Sequence, residues 1–369
     1  MKFFDLEYEN NISSKNIKKN ISKVISQTDF INGDFVSKLE EKLSKFTNFK
    51  YCIGVSSGTD ALLSAMMALD VDENTNVFLP SFTYTATAET VCLLKAKPIF
   101  VDVDYKDQLI NYNDLEDALK KYSKKNDILL AVELFGKPIP SAILKYFRNK
   151  FGIKVIVDGA QSLGCVHDKK FNDYCNIWCT SFYPSKTLGC FGDGGACLTN
   201  SLILSKKIKS IINHGKGSNK YQIKRVGLNA RLDTIQAGIL LAKYDNLKPK
   251  IKKCREIYSS YNKYFKDLFI VNNDFNNFSA SLIAMVINKK MNLDNKVLKK
   301  YLNQNNIPSM IYYPLSISDI KAYNKNGVIF TNNNSKNLTK KIISFPIHQN
   351  ITNKNILFIW NNILKLNNL

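Results

Sequence analysis

The sequence predicts an α/β fold with a mostly parallel central sheet and a smaller α+β domain towards the C-terminus. Between residues 51 and 200, short apolar runs alternate with amphipathic segments, which is the pattern of strands joined by helical crossovers. Strands separated by helical crossovers imply a mostly parallel sheet that is buried on both faces. Beyond about residue 268 the order changes to strand, helix, strand and helix, and this change predicts a smaller second domain.

The elements follow from the pattern in chain order. Two amphipathic helices are predicted within 13–46, separated by the turn signal Asn-Gly-Asp at 32–34. Helices are then expected from Asp60, Tyr84, Asn113 and Ser141. The strands between them are YCIGV, NVFLP, KPIFVDV, DILLAVEL, KVIVD, NIWCTSF and GGACLTN. Ligands of such sheets bind at the carboxyl ends of the strands.

The second half of the chain begins with a long helical stretch at about 231–268. The strand SLIAMVIN, the helix LDNKVLKKYLNQN, the strand PSMIYYP and the helix NKNILFIWNNILKL are predicted after it. The Asn-rich segments 272–277 and 332–337 are predicted as surface loops. We place a domain boundary at residue 245, so that 1–245 forms an N-terminal arm with the large domain and 246–369 forms the small one.

Composition narrows the class of protein. The chain of 369 residues is 45% hydrophobic, which suits a globular protein and excludes disordered and collagen-like classes. It contains no run of about 20 apolar residues, and acidic residues interrupt the N-terminus where a signal peptide has its apolar core. We therefore expect a cytoplasmic protein with no membrane partner.

The net charge is +21, from 52 Lys and Arg against 31 Asp and Glu. The basic residues are dispersed along the chain and no nucleic-acid-binding motif accompanies them, so no nucleic-acid partner is expected. We interpret most of this charge as lysines on the solvated surface. The functional alternative is that the positive charge steers an anionic small substrate towards the protein. The eight cysteines form no CxxC pair and are interpreted as reduced thiols, so neither disulfides nor a metal site is expected.

Two residues separated by 28 positions suggest a site that can form a Schiff base. Asp158 ends the strand KVIVD, and Lys186 lies in the uncharged stretch CTSFYPSKTLGCFG. A lysine in apolar surroundings has its charged form disfavoured, so its amine is available to form a Schiff base. A carboxylate at a sheet edge needs a cationic partner, such as a protonated ring nitrogen. Pyridoxal phosphate requires this pair, although a structural ion pair would look the same in sequence.

A phosphate site is predicted at the segment SSGTD, residues 56–60. It follows the strand YCIGV and opens the helix ALLSAMMAL, so backbone N–H groups and the positive end of a helix dipole meet there. An ordinary helix N-cap is the alternative interpretation of this segment alone. The loop GCFGDGGA lacks both the Lys-Ser/Thr ending of a P-loop and GxGxxG spacing, so no nucleotide cofactor is predicted.

Taken together, these motifs resemble the DegT/DnrJ/EryC1/StrS sugar aminotransferases, which are fold-type I pyridoxal-phosphate enzymes with an aspartate aminotransferase-like fold. The resemblance covers nearly the whole chain. The segments that carry it are FDL, DFINGDFVSKLEEKL, SSGTDALL, PSFTYTATAE, AKPIFVDVD, DGAQSLG, TSFYPSKTLGCFGDGGA, the HG at 214–215, VGLNARLDTIQAGIL and SFPIH.

The resemblance implies a role for each matching residue. Lys186 would be the catalytic residue, bonded to pyridoxal 5'-phosphate and moving a proton, with pyridoxamine phosphate as the intermediate form of the cofactor. Asp158 would hold the pyridine nitrogen protonated, Tyr84 would stack on the ring, and Gln161 would bond a cofactor oxygen. The phosphate would be bound by Gly58, Thr59 and Ser181.

The same resemblance implies a homodimer with shared active sites. Asn229 would reach the phosphate from the partner subunit, and Arg231 in the same motif is a candidate substrate contact, although it could equally cap the following helix. L-glutamate would be the amino donor and a keto-sugar nucleotide the acceptor. The amino-acid sequences of these motifs are most similar to those of WbpE-type enzymes, which aminate UDP-linked 3-keto-2-acetamido sugars.

One departure from the family bears on the sugar. The family's His-Tyr-Pro motif appears here as Tyr312-Tyr313-Pro314, and a further histidine is replaced by Ser318. In members that act on uronates, the missing histidine at the Tyr312 position belongs to sugar recognition. Its loss favours a neutral sugar such as UDP-3-keto-N-acetylglucosamine, whose 3-amino product would feed lipid A or another lipopolysaccharide or surface glycan. Tyr312 and Tyr313 are predicted to contact the substrate.

Other functions stay open at this stage. A UDP- or dTDP-linked 4-keto-6-deoxyhexose or a 3-keto-uronate would be used by other enzymes of the same family. A sugar 3-dehydratase on this scaffold replaces the Schiff-base lysine, so Lys186 argues against it. A non-catalytic sugar-sensing protein is the alternative from a different class, and it would have no reason to retain Lys186, Asp158 and Thr59 together.

Overall fold

A computed structural model describes residues 1–217, 219, 221–272 and 274–367. Its main feature is an eight-stranded sheet in the order β1, β7, β6, β5, β4, β2, β3, β10. The strands are β1 Tyr51–Val55, β2 Asn76–Pro80, β3 Lys97–Val101, β4 Ile128–Val132, β5 Lys154–Asp158, β6 Ile177–Ser181, β7 Gly195–Thr199 and β10 Val328–Ile329. A smaller antiparallel sheet contains β8 Phe269–Ile270, β9 Ile283–Ile287 and β11 Ile342–Phe345 in the order β11, β9, β8.

The large sheet is mostly parallel, as the sequence predicts. Strand β7 pairs antiparallel with both β1 and β6, and the remaining pairs are parallel. Strands β2, β4, β6 and β7 are buried along their whole length because helices cover both faces of the sheet. The seven predicted apolar runs from YCIGV to GGACLTN are all strands.

The helices surround these sheets. They are α1 Leu6–Gln27, α2 Asp34–Thr47, α3 Gly58–Ala68, α4 Ala86–Leu93, α5 Tyr112–Tyr122, α6 Ser141–Phe151, α7 Phe171–Tyr174, α8 Leu202–Ile211, α9 Thr234–Tyr244, α10 Leu247–Phe265, α11 Asn295–Gln304, α12 Lys321–Asn324, α13 Asn333–Lys341 and α14 Asn353–Asn367. Among these described helices, none combines the length and the apolar character that crossing a membrane requires.

Two local predictions in the C-terminal part are wrong. The Asn-rich segment 332–337 is not a loop, because helix α13 begins at Asn333. The carboxylate of Asp102, over 230 residues earlier, accepts hydrogen bonds from the backbone N–H groups of Asn334 and Ser335 at 2.7 and 2.8 Å. A carboxylate on the first-turn N–H groups stabilises a helix start, and this one lies too far away in sequence to be seen in the local pattern.

The segment PSMIYYP is not a strand either. Met310 forms an isolated bridge with Ser344, and the chain then turns so that Tyr312 and Tyr313 line a cavity. The predicted helical stretch 231–268 is divided at Asp245 and Asn246 into α9 and α10. The short strands β8 and β10 have too few residues to give a periodic signal, and β10 adds to the large sheet by pairing with β3.

Candidate active site

A cavity of about 430 Å³ opens at the carboxyl ends of β4, β5 and β6. This is the edge where parallel sheets bind ligands. The structure brings nine of the eleven predicted site residues to its wall. These are Gly58, Thr59, Tyr84, Asp158, Gln161, Ser181, Lys186, Tyr312 and Tyr313.

Asp158 is a buried carboxylate at the end of β5. Its Oδ1 accepts the backbone N–H of Ala160 and its Oδ2 accepts the hydroxyl of Thr87, both at 3.1 Å. Burial raises the pKa of this carboxyl, opposed by the Ala160 hydrogen bond, the charge of Lys186 and the Thr87 hydroxyl. These hydrogen bonds hold the carboxylate in position, but its neighbours balance only part of its negative charge.

Lys186 faces the same cavity from the turn that follows β6. Its backbone N–H donates to the carbonyl of Tyr183 at 2.8 Å, which fixes the turn. Burial lowers the pKa of its ammonium, and the charge of Asp158 opposes this shift. Among the ion pairs of the described residues there is none between Lys186 and Asp158, so the structural ion-pair interpretation does not hold. The two groups are left to act on a bound molecule.

Helix α3 presents an open N-terminus to the cavity. The hydroxyl of Ser57 caps the helix by accepting the N–H of Asp60 at 3.0 Å, and Asp60 in turn accepts the hydroxyls of Ser56 and Ser57. The N–H groups of Gly58 and Thr59 belong to the first turn, which has no intrahelical acceptors. They are therefore available to an anion, which the helix dipole also favours.

The close packing of Gly58 against Ser181 shapes this anion site. A Cβ placed on Gly58 would lie 2.8 Å from the Cβ and 3.2 Å from the Oγ of Ser181. Only glycine lets the helix start approach β6 so closely. The two residues are 123 positions apart in sequence, yet their adjacency brings the Ser181 hydroxyl to the first turn of α3.

Gln161, Tyr312 and Tyr313 form another part of the cavity lining. Gln161 Oε1 accepts the backbone N–H of Phe135 at 2.7 Å, and its Nε2 donates to the hydroxyl of Tyr313 at 3.0 Å. The structure therefore gives the Gln161 side chain two hydrogen bonds within the chain, in addition to the cofactor contact that the sequence predicts. Burial raises the pKa of the Tyr313 phenol well above its ordinary value, so this hydroxyl stays protonated and can donate into the cavity.

Tyr84 is an exposed aromatic residue of the site. Its side chain is 56% accessible, and its ring lies 6.1 Å from that of Tyr313 at a tilt of 45°. It immediately precedes the first turn of α4 and lines the cavity. An accessible aromatic ring that lines a cavity is suited to stacking on a planar ligand.

Asn229 and Arg231 are the two predicted residues that are absent from the described lining of the cavity. Their backbone runs beside the end of β1, where the N–H of Ser56 donates to the carbonyl of Ala230 at 3.0 Å. Arg231 donates to the side chains of Asn213 at 2.9 Å and Asn229 at 2.6 Å. Within one chain, these two side chains point elsewhere than into the cavity.

Several cavity residues were missed by sequence reasoning. The hydroxyl on Asp158 comes from Thr87, inside the quoted motif FTYTAT, and Asp193 lies in the quoted GCFGDGGA. The others line the cavity without an assigned role, although several lie in motifs quoted above, such as Ser57 in SSGTD and Ala160 in DGAQSLG. They are Phe4, Ser57, Leu62, Thr83, Ala86, Val132, Glu133, Leu134, Ala160, Tyr183, Ser185, Ser281 and Leu282.

The arrangement fits pyridoxal phosphate. A buried amine and a buried carboxylate face one cavity without pairing, and an open helix N-terminus lies on the same wall. Lys186 would hold the aldehyde carbon, Asp158 the ring nitrogen, and Gly58 and Thr59 the phosphate. Pyridine, aldehyde and phosphate are the three groups for which the cavity has complementary partners.

Comparison with known proteins gives a consistent result. The model of the DegT/DnrJ/EryC1/StrS aminotransferase family matches residues 11–363. A UDP-2-acetamido-2-deoxy-3-oxo-D-glucuronate aminotransferase from Pseudomonas aeruginosa is 35% identical, over 86% of this chain and 87% of that protein. A UDP-N-acetyl-3-dehydro-α-D-glucosamine 3-aminotransferase from Acidithiobacillus ferrooxidans is 31% identical, over 80% and 79%.

The fold is likewise matched by a solved structure. The crystal structure of a DegT DnrJ EryC1 StrS aminotransferase from Brucella abortus superimposes with a TM-score of 0.92 at 32% identity, covering 100% of both chains. The fold class predicted from the sequence, and the family resemblance on which it depended, are confirmed by these matches.

Proposed function

The chain belongs to the DegT/DnrJ/EryC1/StrS aminotransferase family, and on this basis we propose that it moves an amino group from L-glutamate to a UDP-linked 3-keto-2-acetamido sugar of the neutral N-acetylglucosamine type. That it is a sugar aminotransferase follows from the family; the donor and the exact sugar are the proposed part. The observation that carries the proposal is the unpaired Lys186 and Asp158 facing one cavity beside the start of α3.

The chemistry needs a cofactor and a few well-placed groups. Pyridoxal phosphate, the cofactor of these aminotransferases, supplies an aldehyde that condenses with amines and a ring that accepts electron density from the neighbouring carbon. Because burial lowers the pKa of Lys186, its neutral amine is accessible, and it can take a proton from a substrate carbon and return it. Asp158 holds a proton at the ring nitrogen, and the α3 N–H groups hold the phosphate.

The overall reaction then balances in two halves. Glutamate leaves its amino group behind, takes up the oxygen of one water molecule at the carbon that carried it, and departs as 2-oxoglutarate. The keto sugar takes up that amino group at its carbonyl carbon, with loss of the carbonyl oxygen as water. We propose that the Tyr313 hydroxyl, which accepts a hydrogen bond from Gln161 at the wall of the cavity, contacts the sugar during the second half.

The choice of a UDP-linked 3-keto-2-acetamido sugar is supported by the two curated relatives described above, whose names both specify such a sugar. One of them acts on a uronate and the other on a neutral sugar, so relatedness alone does not separate these two classes. The character of the cavity is the observation that favours one of them.

Within one chain, the described lining of the cavity offers little to a carboxylate at C6, and this favours a neutral sugar. Among the described lining residues Lys186 is the only Lys or Arg, and the acidic residues Asp158 and Asp193 belong to the same lining. Tyr312 and Tyr313 add aromatic surface. A uronate carboxylate placed here would meet negative charge and a lysine already committed to the cofactor, which costs binding energy.

A direct comparison of substrates tests the proposal. We expect the holoenzyme with glutamate to convert UDP-3-keto-N-acetylglucosamine at least tenfold more efficiently, in kcat/KM, than the 3-keto-uronate analogue or a dTDP-4-keto-6-deoxyhexose. A large preference for the uronate would overturn the neutral-sugar proposal, and a preference for the 4-keto sugar would overturn the 3-keto assignment. A product aminated at C3 would suit incorporation into lipid A or another surface glycan.

We further propose that two copies of the chain share their active sites. Asn229 and Arg231 lie beside the phosphate-binding segment in space, because Arg231 forms an isolated bridge with Val55, yet they are absent from the described lining of the cavity of their own chain. Two exposed apolar side chains, Ile31 and Phe191, lie near this region. The backbone of Ile31 forms a bridge with Asp233, and the backbone N–H of Phe191 donates to the side chain of Gln236. A second copy packed here would cover these side chains, and Arg231 could then supply the cation that glutamate carboxylates need.

A further inference from the structure

A second group of reactive side chains lies behind the active site and has no part in the transamination chemistry. Glu133, Cys165 and His167 each direct one potential ligand atom into a space where these atoms lie within 4.8 Å of one another. His167 Nε2 is 2.6 Å from Glu133 Oε1 and 3.3 Å from Cys165 Sγ, and Cys165 Sγ is 4.0 Å from Glu133 Oε2.

These separations approach those of a tetrahedral metal centre. Zinc lies about 2.0–2.3 Å from oxygen, nitrogen and sulfur ligands, which puts neighbouring ligand atoms about 3.2–3.7 Å apart. The cysteine and histidine atoms already meet this distance. The carboxylate and the imidazole would need to separate by less than about 1 Å to admit an ion.

Neighbouring groups hold the side chains of Glu133 and His167 in place, as the residues around a metal site hold its ligands. Besides His167, the carboxylate of Glu133 accepts hydrogen bonds from Ile139 N–H at 3.1 Å, from Trp178 Nε1 at 3.0 Å and from the hydroxyl of Ser162. The imidazole of His167 is stacked on Phe171, with ring centres 3.6 Å apart and planes 6° from parallel. Such contacts fix the direction of ligand atoms before an ion arrives.

Solvent access and the local charge also suit the binding of a metal ion. Cys165 and His167 line a second cavity of about 430 Å³, so a water molecule can reach a fourth coordination position. A thiolate and a carboxylate together neutralise a divalent ion, so the basic rim of this cavity, formed by Lys169, Lys248, Lys252 and Arg255, faces a centre with no net charge. A mixed sulfur, nitrogen and oxygen set selects a borderline transition metal over magnesium or calcium.

We propose that Glu133, Cys165 and His167 form a binding site for a divalent transition-metal ion of the zinc type, with water as the fourth ligand. Binding displaces the thiol proton of Cys165 and any proton on His167 Nε2, both of which pass to solvent. This departs from the sequence-based expectation that no cysteine binds metal, because the CxH spacing meets its third ligand only through the fold. Glu133 N–H donates to the carbonyl of Asp158 at 3.0 Å, so the ion would lie one strand from the cofactor site.

Metal-depleted holoenzyme tests the proposal directly. Equilibrium dialysis against Zn²⁺ should give one ion per chain, and Co²⁺ in its place should give the absorbance of a thiolate-to-cobalt charge transfer. Cys165→Ser should abolish that absorbance and, like His167→Gln, weaken Zn²⁺ binding by about tenfold or more. Cys92→Ser is the matched control, because Cys92 is another half-buried free thiol, and it should behave as wild type.

Two outcomes would overturn the proposal. The first is that wild-type holoenzyme retains no stoichiometric Zn²⁺. The second is that Cys165→Ser binds as tightly as wild type while its circular dichroism and cofactor absorbance show an intact fold. Neither outcome depends on which sugar the enzyme uses, so failure here and failure of the proposed function are distinguishable.

Discussion

Gln161 donates a hydrogen bond from Nε2 to the hydroxyl of Tyr313 at 3.0 Å, and this bond joins two distant parts of the chain at the cavity. Gln161 follows β5 of the large sheet, whereas Tyr313 lies between α11 and α12. The Tyr313 ring also packs edge-on against Phe82 with ring centres 6.0 Å apart. The phenol is therefore fixed both in position and in hydrogen bonding.

Tyr313→Phe should weaken the sugar half of the reaction. The substitution keeps the ring but removes the acceptor of Gln161 and the donor that faces the cavity, so kcat/KM for the keto sugar should fall about tenfold. Single-turnover measurements of each half-reaction would check this. The half-reaction with glutamate should change less, and Tyr301→Phe, a tyrosine of α11 outside the described cavity lining, should leave both unchanged. Equal losses in both half-reactions would contradict a sugar contact.

Lys186→Ala should abolish transamination. Without the amine, no covalent bond to the cofactor forms and no group moves the proton, so the rate should fall by at least about 10³-fold. The visible absorbance of the lysine-bound cofactor should be lost as well. Lys137→Met is the control, since Lys137 is also fully buried but contacts Asp107 and Gln108, and it should keep the absorbance. Retained turnover in Lys186→Ala would refute the assignment.

Thr87→Val tests the support of Asp158. The change keeps the side-chain shape but removes the hydroxyl that donates to Asp158 Oδ2 at 3.1 Å. That hydrogen bond lowers the pKa of the carboxyl against the effect of burial, so its loss raises the pKa further. The carboxylate form then disappears at a higher pH on acidification. We expect the acidic limb of the kcat/KM profile to move to higher pH.

The same helix provides the control for this experiment. Thr90 is buried like Thr87, but its hydroxyl donates to the backbone carbonyl of Ala86 at 2.9 Å. Thr90→Val should leave the acidic limb where it is in the wild type. An equal shift in both variants would mean that the effect comes from packing in α4 rather than from Asp158.

Gly58→Ala should weaken cofactor binding. A Cβ at this position would lie 2.8 Å from Ser181 Cβ, so the start of α3 must move away from β6 and its N–H groups leave the anion. We expect the dissociation constant of pyridoxal phosphate to rise by about tenfold or more. Gly238→Ala, where the nearest atom would be Asn20 Cβ at 3.4 Å, should bind the cofactor as wild type does. Unchanged affinity in Gly58→Ala would remove α3 from the phosphate site.

The sequence predicted those parts of the fold and site that depend on neighbouring residues. Asp158 and Lys186 were identifiable because one ends an apolar strand and the other lies in an uncharged stretch. Helix α13 was missed because its start depends on Asp102, far away in sequence. Glu133 could not be assigned to any cluster, since its neighbours Cys165 and His167 meet it only through the packing of β4 against β5.

Mixing two inactive variants tests whether subunits share their sites. If Asn229 serves the partner's cavity, a mixed dimer of Lys186→Ala and Asn229→Ala chains contains one site with both defects and one with neither. Co-refolding equal amounts should then restore about a quarter of wild-type activity, because half of the dimers are mixed and each has one intact site. If Asn229 serves its own chain, every site keeps one defect. Activity no greater than the mean of the two separate variants would therefore contradict the shared site.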